Sequence, residues 1–189
     1  MRTEPSNQAL QSDDQWSRSG YSMGPISTAD VRMSHPSGPD VRYPPPLLFV
    51  LGIVAGWLLY GALPLPLIGP TARSTAAPVG WLLVALGAGL SGWGLVTFRR
   101  AGTPIRPNQP ASTLVTHGPF RRSRNPMYGG LTLVYLGVML LLNSLWIVLF
   151  LPLVIALLYR TVIRHEERYL AATFGRAYDE YRRRVRRWL

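Results

Sequence analysis

Hydrophobic and polar residues form long, separate blocks along this chain. Four strongly apolar runs, each long enough to form a helix, occupy residues 47–63, 79–98, 127–142 and 145–159. No acidic residue occurs between Asp40 and Glu166, whereas about a quarter of the residues in a soluble domain are charged. The pattern predicts an all-α fold, a multi-pass bundle of about four transmembrane helices.

The connections between the runs also carry information. Residues 63–78 contain four prolines and predict a loop. Only Asn143 and Ser144 separate the third run from the fourth, which predicts a tight helical hairpin. Pro152 is expected to kink the fourth helix.

Small residues recur on the first two predicted helices. The first contains the GxxxG pair Gly52 and Gly56, and the second contains Gly80, Gly87 and Gly94 at intervals of seven. Because glycines let helix backbones approach closely, both patterns predict faces that pack against other helices. The GxxxG pair would also permit pairing of two chains, and the oligomeric state stays open.

The chain divides into three predicted parts. Residues 1–43 are rich in Ser, Pro, Asp and Gly and are expected to form a disordered tail. Residues 44–98 form a pair of transmembrane helices, and residues 99–189 contain the hairpin and the C-terminal helices. The loop over residues 99–124 holds six arginines and no acid, which places it and both termini in the cytoplasm by the positive-inside rule.

The C-terminal part of the chain predicts an amphipathic helix at the cytoplasmic membrane face. Gly175 is expected to break or bend the helix before it. Aromatic and apolar residues then recur at steps of three and four, with arginines between them, at Tyr178, Tyr181, Val185 and Trp188.

Composition narrows the function. The net charge of +11 arises from 20 arginines with no lysine. Because the arginines flank apolar runs, they indicate membrane topology instead of nucleic-acid binding. The chain has no cysteine, and its three histidines lack the spacing of metal ligands, so we expect no disulfide and no metal site. The arginine-rich composition favours a bacterial cytoplasmic membrane protein with membrane lipids as partners.

Two polar blocks carry the candidate chemistry. In the first, Asn125 is expected to cap the third helix with its side chain, and Pro126 suits the first helical position. Free N–H groups at such a helix start attract anionic or polar ligands. The cationic candidates beside it are Arg121, Arg122, Arg124 and His117. The second block supplies the carboxylates Glu166 and Glu167, which the hairpin brings to the same membrane face.

These blocks resemble two motifs of the isoprenylcysteine carboxyl methyltransferase and phospholipid methyltransferase families. Residues 114–129 resemble a Gly-Pro-Tyr-x-x-x-Arg-His-Pro-x-Tyr-x-Gly motif, with Asn125 in place of the histidine. Residues 166–185 resemble a Glu-Glu pair followed by Leu, Phe-Gly, spaced tyrosines and Arg-Val-Pro, with Arg186 in place of the proline. The resemblance covers residues 103–188 and implies a methyltransferase-like catalytic region within residues 99–189.

The resemblance implies transfer of a methyl group from S-adenosyl-L-methionine to a lipophilic acceptor, an isoprenoid, lipid or small hydrophobic molecule that enters from the bilayer. The cofactor-binding residues that it implies are Ser112, Thr113, Leu114, Val115, Phe120, Asn125, Pro126, Met127, Tyr128 and Glu166. The family's substrate-contacting arginine falls at Val162, so Arg160 or Arg164 would take that role. An amine or hydroxyl acceptor needs a general base, for which His117, Glu166 and Glu167 are the candidates.

Two other functions remain open. Sterol reductases that use NADPH carry a similar Arg-His-Pro-Asn-Tyr-x-Gly-Glu motif, whose final glutamate this chain does not match. A non-catalytic helical protein whose basic face binds anionic lipid also fits the charge pattern. In that case the arginines act only as topology signals, and Glu166 and Glu167 pair with arginines along their own helix.

Overall fold

The fold is helical, as the apolar pattern predicts. A computed structural model describes Val41, residues 43–103 and residues 111–188, and within these parts of the chain no strand forms. The α-helices are α1 (Pro46–Ala62), α2 (Pro70–Arg100), α3 (Pro126–Leu142), α4 (Leu145–Leu158), α5 (Arg164–Phe174) and α6 (Arg176–Arg184). The predicted disordered tail lies outside the described residues, except for Val41 and Tyr43, which pack against the helical core.

Helix α2 begins earlier than the sequence predicts. Residues 70–78 were expected to belong to a proline-rich loop, but they form the first turns of α2, and the loop is confined to residues 63–69. Pro70 stands at the start of the helix, where its missing N–H costs nothing. Pro78 lies inside the helix, which continues through it despite the lost hydrogen bond.

Helices α2 and α3 pack antiparallel along the predicted glycine face. A Cβ atom at Gly137 would lie 2.6 Å from the carbonyl oxygen of Gly80, and one at Gly94 would lie 2.5 Å from Met127 Cγ. Between these two contacts, Gly87 meets the backbone of Gly130. The prediction of a close-packing face on α2 is therefore confirmed, and glycines of α3 form its complement.

Helix α1 uses its GxxxG pair within the chain. A Cβ atom at Gly52 would lie 2.6 Å from Val154 Cγ2, and one at Gly56 would lie 2.8 Å from the amide nitrogen of Ile147. Both contacts are with α4, so this face is filled by the protein's own helix. Tyr135 of α3 completes the contact, because its hydroxyl donates a 2.7 Å hydrogen bond to the carbonyl oxygen of Ile147.

One end of the bundle is closed by polar contacts between two connections. Asn143, in the left-handed conformation with a φ of 50°, ends α3 and forms the predicted short turn into α4. Its side chain accepts a 2.9 Å hydrogen bond from the amide of Ile68 and donates a 3.0 Å bond to the carbonyl of the same residue. The loop between α1 and α2 is thereby fixed at this end, and the end of α2, the start of α3 and α5 lie at the other.

Helices α4 and α5 form one continuous helical segment with a change of winding between them. The segment passes through Pro152 without interruption, and its irregularity lies at a π-helical turn, Tyr159–Ile163. Such a turn inserts a residue into the helix and rotates everything after it, and π turns are frequent at functional sites. Whether Pro152 also kinks α4 stays a prediction.

Two helical segments, Pro70–Arg100 and Leu145–Phe174, are long and apolar enough to cross a membrane. The other apolar helices, α1 and α3, have 17 residues each. At a rise of 1.5 Å per residue, a helix of that length extends about 26 Å, slightly less than the hydrocarbon core. The count of four membrane helices therefore stays a prediction.

Helix α6 is shorter than the predicted amphipathic helix. Gly175, with a φ of 49°, separates α5 from α6 as expected, but α6 ends at Arg184 and Val185 is extended. The prediction that the helical repeat continues to Trp188 is therefore wrong. The cause is long-range, because the amide of Arg124 donates a 2.9 Å hydrogen bond to the carbonyl of Arg186 and holds residues 185–188 beside the start of α3.

Candidate functional site

A cavity of about 400 Å³ lies at the end of the bundle where α2 ends and α3 begins. Its walls are mostly apolar and come from the start of α1, the last turns of α2, residues 111–115, the first turns of α3, α5 and α6. A volume of this size and an apolar lining with a few polar groups are typical of small-molecule sites. The polar groups come from both of the blocks that the sequence singles out.

The two predicted motifs meet inside this cavity. The hydroxyl of Tyr128 donates a 2.7 Å hydrogen bond to Oε1 of Glu166, across 38 positions in sequence. Tyr128 lies in the first turn of α3, and Glu166 lies in the first turn of α5, just after the π turn. Within the described residues, the other oxygen of this carboxylate, Oε2, has no hydrogen-bond partner. An acceptor of this kind suits a hydroxyl or amino group of a ligand.

The start of α3 differs from the prediction in one respect. Pro126 occupies the first helical position as expected, but the side chain of Asn125 does not cap the helix. Its Nδ2 instead donates a 3.3 Å hydrogen bond to the carbonyl of Arg187. The cap prediction is therefore wrong, because the Asn125 side chain turns toward residues 185–188, whose approach to this loop the sequence does not predict. The first N–H groups of α3 consequently have no side-chain partner from Asn125.

Aromatic residues fix the wall opposite α5. The rings of Phe98 on α2 and Phe120 lie 4.8 Å apart between centroids. The carbonyl of Phe120 accepts a 2.7 Å hydrogen bond from the hydroxyl of Tyr181 on α6. The hydroxyl of Tyr169 on α5 accepts a 2.8 Å bond from the amide of Ala111. These contacts hold the segment before α3 in a fixed position against α2, α5 and α6.

Glu167 is held by two arginines. Its Oε1 accepts hydrogen bonds from Arg124 Nη1 at 3.0 Å and Arg187 Nε at 2.9 Å, and its Oε2 accepts one from Arg187 Nη2 at 2.9 Å. The side chains of Arg124 and Glu167 are only 11% and 19% exposed, so the ion pair is largely shielded from water. Because both oxygens of Glu167 accept hydrogen bonds from arginines, the geometry disfavours Glu167 as a general base.

Three groups near Glu167, those of Tyr178, Tyr181 and Arg187, keep their ordinary charge states. Burial raises the pKa of the Tyr178 phenol and that of the Tyr181 phenol, so both stay neutral. The hydrogen bond to Glu167 raises the pKa of the Arg187 guanidinium, which stays charged. Counted formally, the two arginines and one glutamate give the cluster of Arg124, Glu167 and Arg187 a net charge of +1.

The structure brings most of the predicted site residues to this cavity. Those that line it are Thr113, Leu114, Val115, Phe120, Asn125, Pro126, Met127, Tyr128, Glu166 and Glu167. Ser112 lies beside it, with its hydroxyl donating to the carbonyl of Gly102. The remaining candidates, His117, Arg160 and Arg164, are exposed and do not line it. Arg121 and Arg122 are exposed as well, and only Arg124 of that group reaches the cavity.

Several lining residues were absent from the predicted site. Tyr178 and Tyr181 belong to the spaced tyrosines of the second motif, so that motif contained the signal. Arg187, which holds Glu167, lies beyond the second motif, and nothing in the sequence pattern marks it. The lining residues of α2 could not be found without knowing which helix packs against α3.

The helical fold brings the two motifs together at one cavity, and comparison with known families agrees with the resemblance of these motifs. The phospholipid methyltransferase family matches residues 76–177, more than half of the chain. The chain belongs to this family, which is part of the isoprenylcysteine-carboxyl-methyltransferase-like group of membrane methyltransferases. The sequence resemblance is thus confirmed.

A bacterial relative covers part of the same chain. The cobalt-zinc-cadmium resistance protein CzcN of Cupriavidus metallidurans is 42% identical over 74 residues, which are 39% of this chain and 34% of CzcN. The chain therefore matches about a third of the length of that protein. No solved structure matches the chain.

Proposed function

We propose that this protein is a multi-pass membrane methyltransferase that uses S-adenosyl-L-methionine to methylate a lipophilic acceptor. The observation that carries the proposal is the hydrogen bond between Tyr128 and Glu166, which joins the two family motifs in a cavity of about 400 Å³. The phospholipid methyltransferase family supports the reaction type. The two long apolar helices support the location in a membrane.

The residues of the cavity fit the proposed cofactor. Glu166 offers an acceptor to the ribose hydroxyls or the amino group, and Phe120 and Tyr128 offer aromatic faces to a sulfonium. Arg124 offers a cation to the carboxylate. When bound, S-adenosylmethionine would supply an electrophilic methyl group, and these residues would hold its ribose or amino group, its sulfonium and its carboxylate.

The protein's own contribution is positioning and exclusion of water. The apolar side chains Leu95, Leu131 and Leu170 line the same cavity as the polar residues, so they provide a dry region in which a lipophilic acceptor can lie. The fixed positions of Phe120 and Tyr128 orient the two reactants toward each other. Exposed apolar side chains on α1 and α2, such as Trp57 and Trp81, suit contact with lipid.

Methyl transfer to lipid tests this proposal. Membranes containing the protein are incubated with S-adenosylmethionine labelled in its methyl group, and the organic extract is counted. We expect label in the extract, and loss of most of it in the double variant Tyr128→Phe, Glu166→Gln, in which the shape of the cavity is kept. Extracts without label above control membranes, for lipids with amine, carboxylate and hydroxyl head groups alike, would contradict it, and oxidation of NADPH would favour the reductase alternative.

A further inference from the structure

The arginines in the cluster of Arg124, Glu167 and Arg187 have more N–H donors than their hydrogen bonds to Glu167 require. Arg187 binds both oxygens of Glu167 through its forked guanidinium, in the bidentate geometry that is strongest for such pairs. Arg124 reaches Glu167 through Nη1 alone. Its Nε is buried and has no hydrogen-bond partner within the described residues.

A buried donor without a partner is costly, and in native proteins such a group calls for an explanation. The Arg124 side chain lines the cavity, is only 11% exposed and lies next to the start of α3. A cationic N–H in that position matches a carboxylate or another small anionic group of a ligand. The formal net charge of +1 on the cluster also favours an anionic group at this position.

We propose that Arg187 neutralises Glu167 and so leaves Arg124 to bind an anionic group in the cavity, the carboxylate at the amino-acid end of the cofactor. Without Arg187, Glu167 would have only Arg124 as a partner. Its carboxylate would then take Nη2 as well as Nη1 of Arg124, since paired guanidinium and carboxylate groups prefer two parallel bonds. The edge of the Arg124 guanidinium formed by Nε and Nη2 would then no longer be available to a ligand. Arg187 is thus a positioning residue that acts on the ligand through Arg124.

The backbone of residues 185–188 keeps Arg187 in place independently of its side chain. The amide of Arg124 donates to the carbonyl of Arg186, and the hydroxyl of Ser123 donates a 3.1 Å bond to the carbonyl of Arg187. Because these two contacts are made by backbone carbonyls, substitution of the Arg187 side chain leaves them available. The substitution does remove one side-chain contact, since the Arg187 guanidinium lies 5.2 Å from the ring centre of Tyr159 in the π turn.

The inference rests on the proposed function, and a comparison of two ligands tests the inference separately from that function. S-adenosylhomocysteine and its decarboxylated analogue S-adenosyl-3-thiopropylamine differ by one carboxylate, and the affinity of purified protein for each can be measured calorimetrically. We expect wild type to prefer S-adenosylhomocysteine by about tenfold or more, the effect of one hydrogen bond to a charged group. The preference should fall to near one in Arg187→Gln, recover in part in Arg187→Lys, and persist in the control Arg186→Gln.

A second variant distinguishes neutralisation from a structural role. Adding Glu167→Gln to Arg187→Gln removes the charge that Arg187 balances, and we expect the double variant to regain the preference for S-adenosylhomocysteine. An unchanged preference in Arg187→Gln, equal weakening of both ligands, or no recovery in the double variant would overturn the inference while leaving the proposed function intact. Failure of wild type to bind either ligand would overturn both.

Discussion

Replacement of Glu166 by alanine is expected to weaken binding of S-adenosylhomocysteine by about 10- to 100-fold, the usual effect of losing hydrogen bonds to a charged group. Glu166 is the one carboxylate of the cavity whose hydrogen-bond partner among the described residues is a neutral hydroxyl, that of Tyr128. Its removal takes away the acceptor for the ligand and leaves that hydroxyl without its partner. The affinity can be measured by titration calorimetry on purified protein in detergent.

Two further variants make this measurement specific. Glu166→Gln keeps the shape of the side chain and an oxygen for Tyr128, and should give an intermediate loss. Glu180→Ala removes an exposed acid from α6 and should leave the affinity unchanged. If Glu166→Ala bound S-adenosylhomocysteine as tightly as wild type, Glu166 would have no role in holding the cofactor.

The largest effect on stability is expected at Gly87. Its Cβ atom in an alanine variant would lie 2.7 Å from the amide nitrogen of Val134 and would also meet the carbonyl oxygen of Gly130. Both neighbours belong to the backbone of α3, so relief requires α2 and α3 to move apart. Overpacking of this kind destabilises by about 1–3 kcal/mol. Thermal unfolding of the purified Gly87→Ala variant measures the loss.

The chain offers a matched control on the same helix. A Cβ atom at Gly89 meets nothing within 4 Å, so Gly89→Ala should change the stability little or raise it by about 0.5–1 kcal/mol through helix propensity. Equal unfolding temperatures for the Gly87 and Gly89 variants would show that α2 and α3 do not pack as described.

The fold was predictable to the extent that it depends on local patterns. Apolar runs, the Asn143-Ser144 turn and the helix break at Gly175 follow from composition and from backbone preference, and the structure contains each of them. The start of α2 was missed because Pro70 is both a loop signal and a good first residue of a helix. Local sequence does not distinguish these two uses of proline.

The part of the candidate site that belongs to the two family motifs was predictable from the sequence, and the rest was not. The order of the motifs led to Tyr128 and Glu166, and their contact agrees with that expectation. The side chain of Asn125 turns away from the helix start because residues 185–188 lie beside it. The contact between Asn125 and Arg187 joins positions 62 residues apart, and such pairings depend on the whole fold. The position of Arg187 beside Glu167 depends on the same fold, so neither could be predicted from the sequence.

The proposed function depends most on one placement, in which a single nucleoside touches both Tyr128 and Glu166, two side chains that are hydrogen-bonded to each other. A crystal structure of the protein with S-adenosylhomocysteine tests it directly. We predict that the ligand occupies the cavity and hydrogen-bonds to Glu166, with Tyr128 and Phe120 in contact with it. A ligand bound at the opposite end of the bundle, near Asn143, or one that touches Tyr128 but lies out of reach of Glu166, would contradict this placement.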